Sequence, residues 1–259
     1  GYATDTDEYK KYWPANVHLI GKDILRFHAL YWPAMLLSAE LPLPREIYVH
    51  GFITVEGEKM SKSLGNVIDP VMLVEKYGAD VVRYFLMREI PSGEDGDFSY
   101  KKLEDRYNGD LANGLGNLVQ RVATLIENNL SGELIYDEEI LTSERKEAVD
   151  FWLTTIAGYE KHIRGFELHR AVESIWVIVA HANRFVDEQK PWAQAKENPE
   201  EFLKTMTMLV AVIHHIAWML QPFMPETAKK IFATFGDEGR RSILDKTHFR
   251  IQQGEPLFP

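Results

Sequence analysis

Two lysines three positions apart are the most distinctive candidates for chemistry in this 259-residue sequence. Lys59 and Lys62 belong to the string KMSKS at 59–63, which continues as LGN at 64–66. Each ammonium group is a compact charge with three donors, so the pair matches charge that develops on phosphoryl oxygens. The string therefore indicates a mobile loop that grips phosphate. Composition alone favours a solvated basic loop, since loops rich in Lys and Ser are common.

A second candidate lies where a predicted strand meets a predicted helix. The apolar run 17–20, closed by Gly21, predicts a buried strand, and Asp23 is predicted to cap the helix that follows. A glycine here lets the backbone approach a nucleotide, and a carboxylate can accept from ribose hydroxyls. One face of the helix carries apolar and aromatic side chains at helical spacing, namely Ile24, Phe27, His28 and Tyr31.

The elements that would position these residues fall into two regimes. Up to about residue 60, strands at 47–49 and 52–55 alternate with a helix at 34–39, which predicts an α/β sheet. Beyond residue 70, helices are predicted at 70–77, 79–88, 100–129, 142–164, 167–188, 200–220 and 225–235. Asp69 is predicted to cap the first of these, and 90–98 is predicted to be a loop. Long amphipathic helices with short breaks predict an antiparallel bundle.

Composition excludes several classes of protein. Hydrophobic residues make up 45% and charged residues 26%, which excludes a disordered or fibrous chain. Cysteine is absent, so this chain offers no disulfide, thiolate nucleophile or cysteine-bound zinc. A net charge of −10 gives no bulk attraction to nucleic acid, and any such site must be local. No apolar run reaches the roughly 20 residues that span a bilayer, so we expect no membrane and a cytoplasmic protein.

The string KMSKS resembles the signature of class I aminoacyl-tRNA synthetases. The likeness extends to HLIGKDI at 18–24, FHALYWPAML at 27–36, and VHGF at 49–52 with GEK at 57–59, all similar to methionyl-tRNA synthetases. The resemblance covers essentially the whole chain. It implies the α/β half of a Rossmann-type nucleotide fold followed by a mainly α-helical bundle.

The same resemblance implies three regions. Residues 1–57 would be the C-terminal half of the Rossmann catalytic fold, 58–113 the KMSKS loop and stem-contact region, and 114–259 an α-helical anticodon-binding bundle. The family's HIGH motif is absent, since His18-Leu19-Ile20-Gly21 is followed by Lys22. We therefore expect a C-terminal portion that lacks the N-terminal half-fold and the zinc-binding insert, and is inactive alone.

The resemblance also implies which residues would contact ATP and methionine. ATP, bound with Mg²⁺, would contact Gly21, Asp23, His50, Ile53, Lys59 and Lys62. Lys62 would stabilise charge on the phosphates, and Lys59 would assist. Methionine would contact Tyr2, Ile24 and His28, with Phe27, Tyr31 and Trp32 forming the wall behind.

The helical region has its own carried-over set. Asn117 and Arg121 are four residues apart on one predicted helix face, and Pro191-Trp192 marks a break between helices. In the resembled family, matching positions read the CAU anticodon of methionine tRNA, which suits stacking on aromatics and hydrogen bonds to base edges. Without the resemblance, these residues would be a solvated helix face and a core tryptophan at a helix start.

Other polar residues carry no functional assignment. The histidines at 169, 181, 214 and 215 are expected in the core or at its boundary rather than on a metal, and Asp95 and Asp97 are expected to be solvated loop residues. The predicted function is methionine–tRNA ligase, with methionine, ATP, tRNA and a missing N-terminal half as partners. A non-catalytic tRNA-binding fragment and a synthetase for Ile, Val, Leu or Cys remain alternatives.

Overall fold

The chain forms two structural units, and each is described by itself. The computed structural model describes residues 6–61, 63, 65–135, 146–236 and 248–258. The first unit comprises Gly1–Ile68 with Glu89–Phe98, and the second comprises Asp69–Arg88 with Ser99–Pro259. The stretch after the KMSKS string therefore contributes helices to the second unit, before the chain returns to the first unit at Glu89.

A pair of parallel strands organises the first unit. After helix α1 (Asp7–Tyr12), strand β1 (Val17–Gly21) pairs with strand β2 (Glu46–His50). The register places Gly21 opposite His50, so the carboxyl ends of both strands meet at one edge. Strands were predicted at both places, but the prediction that 17–20 is buried is wrong for most of β1, because among the residues of this strand Ile20 alone is buried and Leu19 is 67% exposed.

The connection between β1 and β2 is helical but irregular. It runs through a 3₁₀ turn (Lys22–Ile24) and a π-helical turn (Phe27–Tyr31) into helix α2 (Trp32–Ser38), with proline in its first turn as predicted. The prediction that Asp23 caps the helix is wrong. Gly21 occupies the N-cap position and no side chain caps it, because the helical turn starts directly at the last residue of the strand.

A three-stranded sheet completes the first unit. Strand β3 (Ile53–Val55), within the predicted strand 52–55, forms a hairpin with β4 (Glu58–Lys59), and both turn residues have positive φ, as the tight hairpin turn requires. Strand β5 (Gly96–Phe98) runs parallel to β3 on its other side. The prediction of a loop over 90–98 is therefore wrong at its end, because a three-residue strand paired with a distant segment leaves no periodic signal.

The second unit is a helical bundle. Its helices are α3 (Pro70–Tyr77), α4 (Ala79–Glu89), α5 (Tyr100–Arg106), α6 (Asn117–Leu130), α7 (Lys146–Arg164), α8 (Leu168–Gln189), α9 (Pro191–Glu197), α10 (Pro199–Leu220) and α11 (Pro225–Thr234). Asp69 caps α3 as predicted, accepting from the Val71 amide at 2.8 Å. A π-helical segment (Tyr107–Gly116) joins α5 to α6, within the predicted helix 100–129.

The two remaining described strands also lie in the second unit. Strand β6 (Glu133–Ile135) pairs antiparallel with β7 (His248–Arg250). Neither of these strands is among the sequence-based predictions, nor is the short helix α9. Each of these three elements has seven residues or fewer, which is too short for the hydrophobic pattern of a helix or a strand to be recognised.

Helix α10 forms the centre of the bundle core. It is long and apolar enough to cross a membrane by length and composition, but 78% of that apolar stretch is buried inside the protein. Its Met206, Leu209 and Ile213 are fully buried and pack in one cluster with side chains of the neighbouring helices. Burying an Ile, Leu or Met side chain contributes about 1.5–3 kcal/mol, so α10 is a core helix of the bundle.

The histidines of the bundle occupy its core or boundary, as expected. His214 is buried, and the Nδ1 of His215 donates to the Ala211 carbonyl at 2.8 Å. The Nδ1 of His181 accepts from the Trp152 indole at 3.1 Å. Within the part of the chain that the structure describes, no three His, Asp or Glu side chains are grouped so as to hold a metal ion.

Candidate functional site

The carboxyl edge of β1 and β2 brings three predicted residues together. A Cβ on Gly21 would lie 2.8 Å from the Asp23 Oδ1 and 3.7 Å from the ring of His50. The glycine therefore leaves room for the Asp23 carboxylate beside the strand end, and a larger residue would require the Asp23 side chain to move. Both Asp23 and His50 are exposed, and the His50 Nδ1 donates to the Gly51 carbonyl at 2.9 Å.

This arrangement suits a nucleotide. Ligands of open α/β sheets bind outside the carboxyl ends of parallel strands, which is where Gly21 and His50 lie. The exposed carboxylate of Asp23 can accept hydrogen bonds from ligand hydroxyls. Ile53, also predicted at this site, begins strand β3 and pairs with Gly96.

Two lysines approach one aromatic ring in the first unit. The Nζ of Lys22 lies 4.6 Å from the centre of the Phe52 ring, and the Nζ of Lys59 lies 5.9 Å from it. Lys59 is exposed at the end of β4. The ring face attracts both cations, and Asp95 pairs with the ammonium of Lys22. Lys62 lies outside the described residues.

Asp95 and Asp97 hold this region together, so the expectation that they are merely solvated is wrong. Asp95 bonds the Lys22 Nζ at 2.6 Å and accepts from the Phe52 amide at 2.7 Å. The bond from Lys22, followed by that from Phe52, lowers the pKa of the Asp95 carboxyl. Asp97 accepts from the Thr54 hydroxyl and from the Gly57 amide, each at 2.7 Å.

Side-chain hydrogen bonds define the described part of the segment 59–66, here called the signature loop. The Asn66 Oδ1 accepts from the Ser61 amide at 2.9 Å, and the Asn66 Nδ2 donates to the Lys59 carbonyl at 3.2 Å. The hydroxyls of Ser61 and Ser63 lie 2.7 Å apart. Gly65 has a φ of +68°, a conformation that favours glycine.

An aromatic hollow of about 360 Å³ opens in the first unit. Its lining consists of His18, Phe27, His28, Tyr31, Trp32 and Met35. His28 lies in the wall as predicted, and its Nδ1 donates to the Ile24 carbonyl at 3.0 Å. The aromatics assigned to the wall behind line the hollow directly, whereas the Ile24 side chain does not line it. Tyr2 lies outside the described residues.

The helical unit brings two of its four predicted residues into contact. The guanidinium of Arg121 lies 5.7 Å from the Trp192 ring and pairs with Asp187 at 2.8 Å. Trp192 is 46% exposed, so its indole is open to a stacking partner. Asn117 is exposed one turn before Arg121 on α6, whereas Pro191 is buried and begins α9.

Sequence reasoning missed the residues that hold these groups in place. Asp95 and Lys22 are 73 positions apart, and Asp187 and Arg121 are 66 apart, so no local pattern links them. The one available signal for Asp187 is an acid near the end of a helix that precedes the Pro-Trp pair. That signal is too common to be informative alone.

Comparison with protein families gives two matches along the chain. Residues 2–123 match the family described as tRNA synthetases class I (M). Residues 138–253 match the anticodon binding domain of methionyl tRNA ligase. The boundary between the two matches falls within the helical unit. The first match ends at residue 123, and so includes Arg121 of α6, which contacts Trp192 of α9.

Individual relatives agree with these matches. The methionine–tRNA ligase of Brucella suis is 46% identical over 266 residues, and that of Bacillus subtilis is 40% identical over 270 residues. Each alignment covers 100% of this chain, but 52% and 41% of the respective relative. The chain therefore spans about half the length of the curated relatives it matches.

Solved structures show the same likeness in three dimensions. The structure of Mycobacterium tuberculosis methionyl-tRNA synthetase in complex with methionyl-adenylate superposes with a TM-score of 0.88 at 40% identity. The apo form of that protein gives a TM-score of 0.85 at 37% identity. Each comparison covers 99% of this chain and 52% of the other.

A Rossmann-type fragment followed by a helical domain is the architecture shared with these class I synthetases. The two family matches together span most of the chain, and the relatives align along its whole length. The chain belongs to the methionyl-tRNA synthetase family.

Proposed function

We propose that this chain is part of a methionine–tRNA ligase. The complete enzyme would join the methionine carboxylate to the α-phosphate of ATP, release pyrophosphate, and pass methionine to its tRNA. This chain would supply the KMSKS loop, part of the methionine pocket and the anticodon-binding domain. The observation that carries the proposal is the strand edge at Gly21 and His50, with the cation of Lys59 in the same unit.

ATP would bind at this edge through groups with distinct roles. Asp23 would accept from the ribose hydroxyls, while Gly21, His50 and the backbone of Ile53 would border the nucleotide. Lys62, assisted by Lys59, would stabilise charge on the phosphates, and Mg²⁺ would enter with ATP. The methionine carboxylate is already an anion, so no general base is required, and catalysis rests on positioning and electrostatics.

Methionine would occupy the aromatic hollow. Its thioether is polarizable, and each sulfur–aromatic contact contributes about 0.3–1.5 kcal/mol. His28 lies in the wall of the hollow, and Ile24 contributes the carbonyl that fixes the His28 ring. Tyr2 is proposed as a third methionine contact.

The CAU anticodon would bind at Trp192 and Arg121. An unstacked base gains about 1–3 kcal/mol by stacking on an aromatic ring, and the Trp192 indole is exposed for this contact. Arg121 and Asn117 offer donors to base edges. Pro191 begins the helix that presents the indole. This local site accounts for tRNA binding by an acidic, cytoplasmic protein.

The first unit exposes an unusual number of large apolar side chains, which include Tyr12 (69%), Leu19 (67%), Leu37 (63%), Met35 (62%) and Leu30 (60%). Soluble proteins rarely leave such side chains together in water. We propose that the N-terminal half of the nucleotide fold covers this face, and that the chain alone does not form adenylate.

Amino-acid-dependent exchange of pyrophosphate into ATP by the full-length protein tests the proposal. We expect exchange with methionine and none above background with Ile, Val, Leu or Cys. Exchange with one of those amino acids instead would identify a sister synthetase.

Filter binding tests the second candidate, a non-catalytic tRNA-binding fragment. The helical unit has its own large core, so this candidate function would not require a complete catalytic site. Methionine-tRNA binding by the full-length protein without any exchange activity would establish the fragment function and refute the ligase.

A further inference from the structure

We propose that Asn66 is the positioning residue that sets the backbone at Lys59 and Ser61 and thereby directs Lys59 toward the phosphates of ATP. The inference rests on the proposed function and deepens it. Asn66 itself contacts no reacting atom; it would act through the peptide units of Lys59 and Ser61.

The geometry is a two-point clasp made by one side chain. The Asn66 Oδ1 accepts from the Ser61 amide at 2.9 Å, while its Nδ2 donates to the Lys59 carbonyl at 3.2 Å. Both atoms of the carboxamide are thereby used on backbone groups five and seven residues earlier in the chain. The backbone between Lys59 and Ser61 is thus held at both ends by a single planar group.

Only a carboxamide of this length can make both bonds. Aspartate keeps the acceptor but lacks the donor, and its charge would face the Lys59 carbonyl; alanine lacks both groups. Asn66 is half-buried, whereas the Lys59 side chain is exposed and its Nζ lies 5.9 Å from the Phe52 ring. The lysine side chain is flexible, so its reach depends on where its backbone starts, and the two bonds from Asn66 fix that starting position.

The test compares two variants of the full-length protein in methionine-dependent pyrophosphate exchange. Asn66→Ala removes both bonds, and Asn66→Asp removes only the donor while filling the same space. We expect kcat to fall roughly ten- to hundredfold in both, since small misplacements of a catalytic group cost about this much. The KM for methionine and the affinity for tRNA should change less than about twofold.

A matched control is Asn129→Ala. Asn129 is an exposed asparagine whose Nδ2 also donates to a backbone carbonyl, that of Leu125 at 2.8 Å. We expect it to leave exchange unchanged. If Asn66→Ala fails to fold, Asn66→Asp decides alone, because it keeps the bond from the Ser61 amide.

Wild-type kcat in either soluble Asn66 variant would overturn the inference. So would an equal loss of kcat, tRNA affinity and thermal stability, because that would show a general structural role. An inactive wild-type protein, or a Lys59→Ala variant with normal exchange, would instead refute the assignment of Lys59, and the inference with it.

Discussion

In the helical unit, the exposed side chain of Trp192 lies beside residues that are buried or held by an ion pair. Trp192 exposes almost half of its surface, while the adjacent Pro191 is buried and fixes the start of α9. Arg121 is held by Asp187 and lies over the indole face. The ring surface that stays exposed is the proposed stacking site for a base.

Replacing the indole should separate the two steps of the proposed reaction. We expect Trp192→Ala to raise the KM for tRNA in aminoacylation roughly ten- to hundredfold, from the loss of one stacking contact. Methionine-dependent pyrophosphate exchange should stay within about twofold of wild type, because the indole is not part of the ATP site. Trp192→Phe, which keeps an aromatic face, should recover most of the activity. A parallel loss of exchange and aminoacylation would point to a folding role instead.

The sequence predicted part of the candidate site at this scale. Gly21, Asp23 and His50 meet as the parallel-strand pattern requires, and His28 lies in the wall of the aromatic hollow. The hydrogen bonds that hold the strand-edge residues in place were not predicted, because Lys22 and Asp95 come together only in the folded chain. Charged partners that are distant in sequence leave no periodic signal, so the sequence alone predicts only a solvated loop residue at Asp95.

Among the secondary-structure elements, α4 has a specific role at the junction between α10 and α11. The Asp80 carboxylate on α4 accepts from the Thr227 amide, in the first turn of α11, at 2.6 Å. The Arg83 guanidinium donates to the Phe223 and Pro222 carbonyls, just after α10, at 2.8 and 2.6 Å. Opposite charges thus satisfy opposite helix ends, as the helix dipoles favour.

Removing the acidic cap should destabilise the protein measurably. We expect Asp80→Ala to lower the free energy of unfolding by about 1–2 kcal/mol, the usual cost of a lost N-terminal cap. Asp80→Asn, which can still accept the bond, should cost less. Asp105→Ala removes only an exposed pair with Lys101 and should change stability by less than about 0.5 kcal/mol. Urea denaturation of the three variants checks the order, and an equal effect of all three would contradict the capping role.

Helix α10 also predicts how stability responds to pH. Burial lowers the pKa of His215, the bond to the Ala211 carbonyl opposes this, and neighbouring His214 adds to the lowering. The folded state therefore binds fewer protons than the unfolded state once the pH falls below the unfolded value of about 6.5. Stability is retained above that pH and decreases as the pH falls through it.

Urea titrations at about pH 7.5 and about pH 5.5 measure this response. We expect a lower free energy of unfolding at the lower pH, and a smaller difference in His215→Gln. The partly buried His181, whose pKa burial also lowers, should contribute with the same sign. An unchanged pH difference in His215→Gln would show that this histidine does not titrate on unfolding.

The long elements followed from the sequence, and the short ones did not. Helices α7, α8 and α10 begin and end close to the predicted positions, because their periodicity extends over many turns. Strands β5, β6 and β7 have three residues each and depend on distant partners. The π-helical segment Tyr107–Gly116 was predicted as ordinary helix, since ten residues are too few for hydrophobic periodicity to distinguish its wider turns from α-helical ones.

At the scale of the whole molecule, the two units differ in completeness. The helical unit encloses a large core, whereas the first unit leaves large side chains such as Leu19 and Leu37 in water. The difference agrees with the proposed function. A helical domain proposed to bind RNA needs only its own core, whereas the proposed site for ATP and methionine would be completed by the rest of the nucleotide fold.

The central claim is that the lysines of the signature loop act on the phosphates of ATP during methionine activation. Methionine-dependent pyrophosphate exchange by the full-length protein, compared with its Lys59→Ala and Lys62→Ala variants, tests this most directly. We predict that Lys62→Ala lowers the exchange rate at least a hundredfold, and Lys59→Ala by a smaller factor, with methionine affinity nearly unchanged. Exchange at the wild-type rate in both variants would contradict the claim.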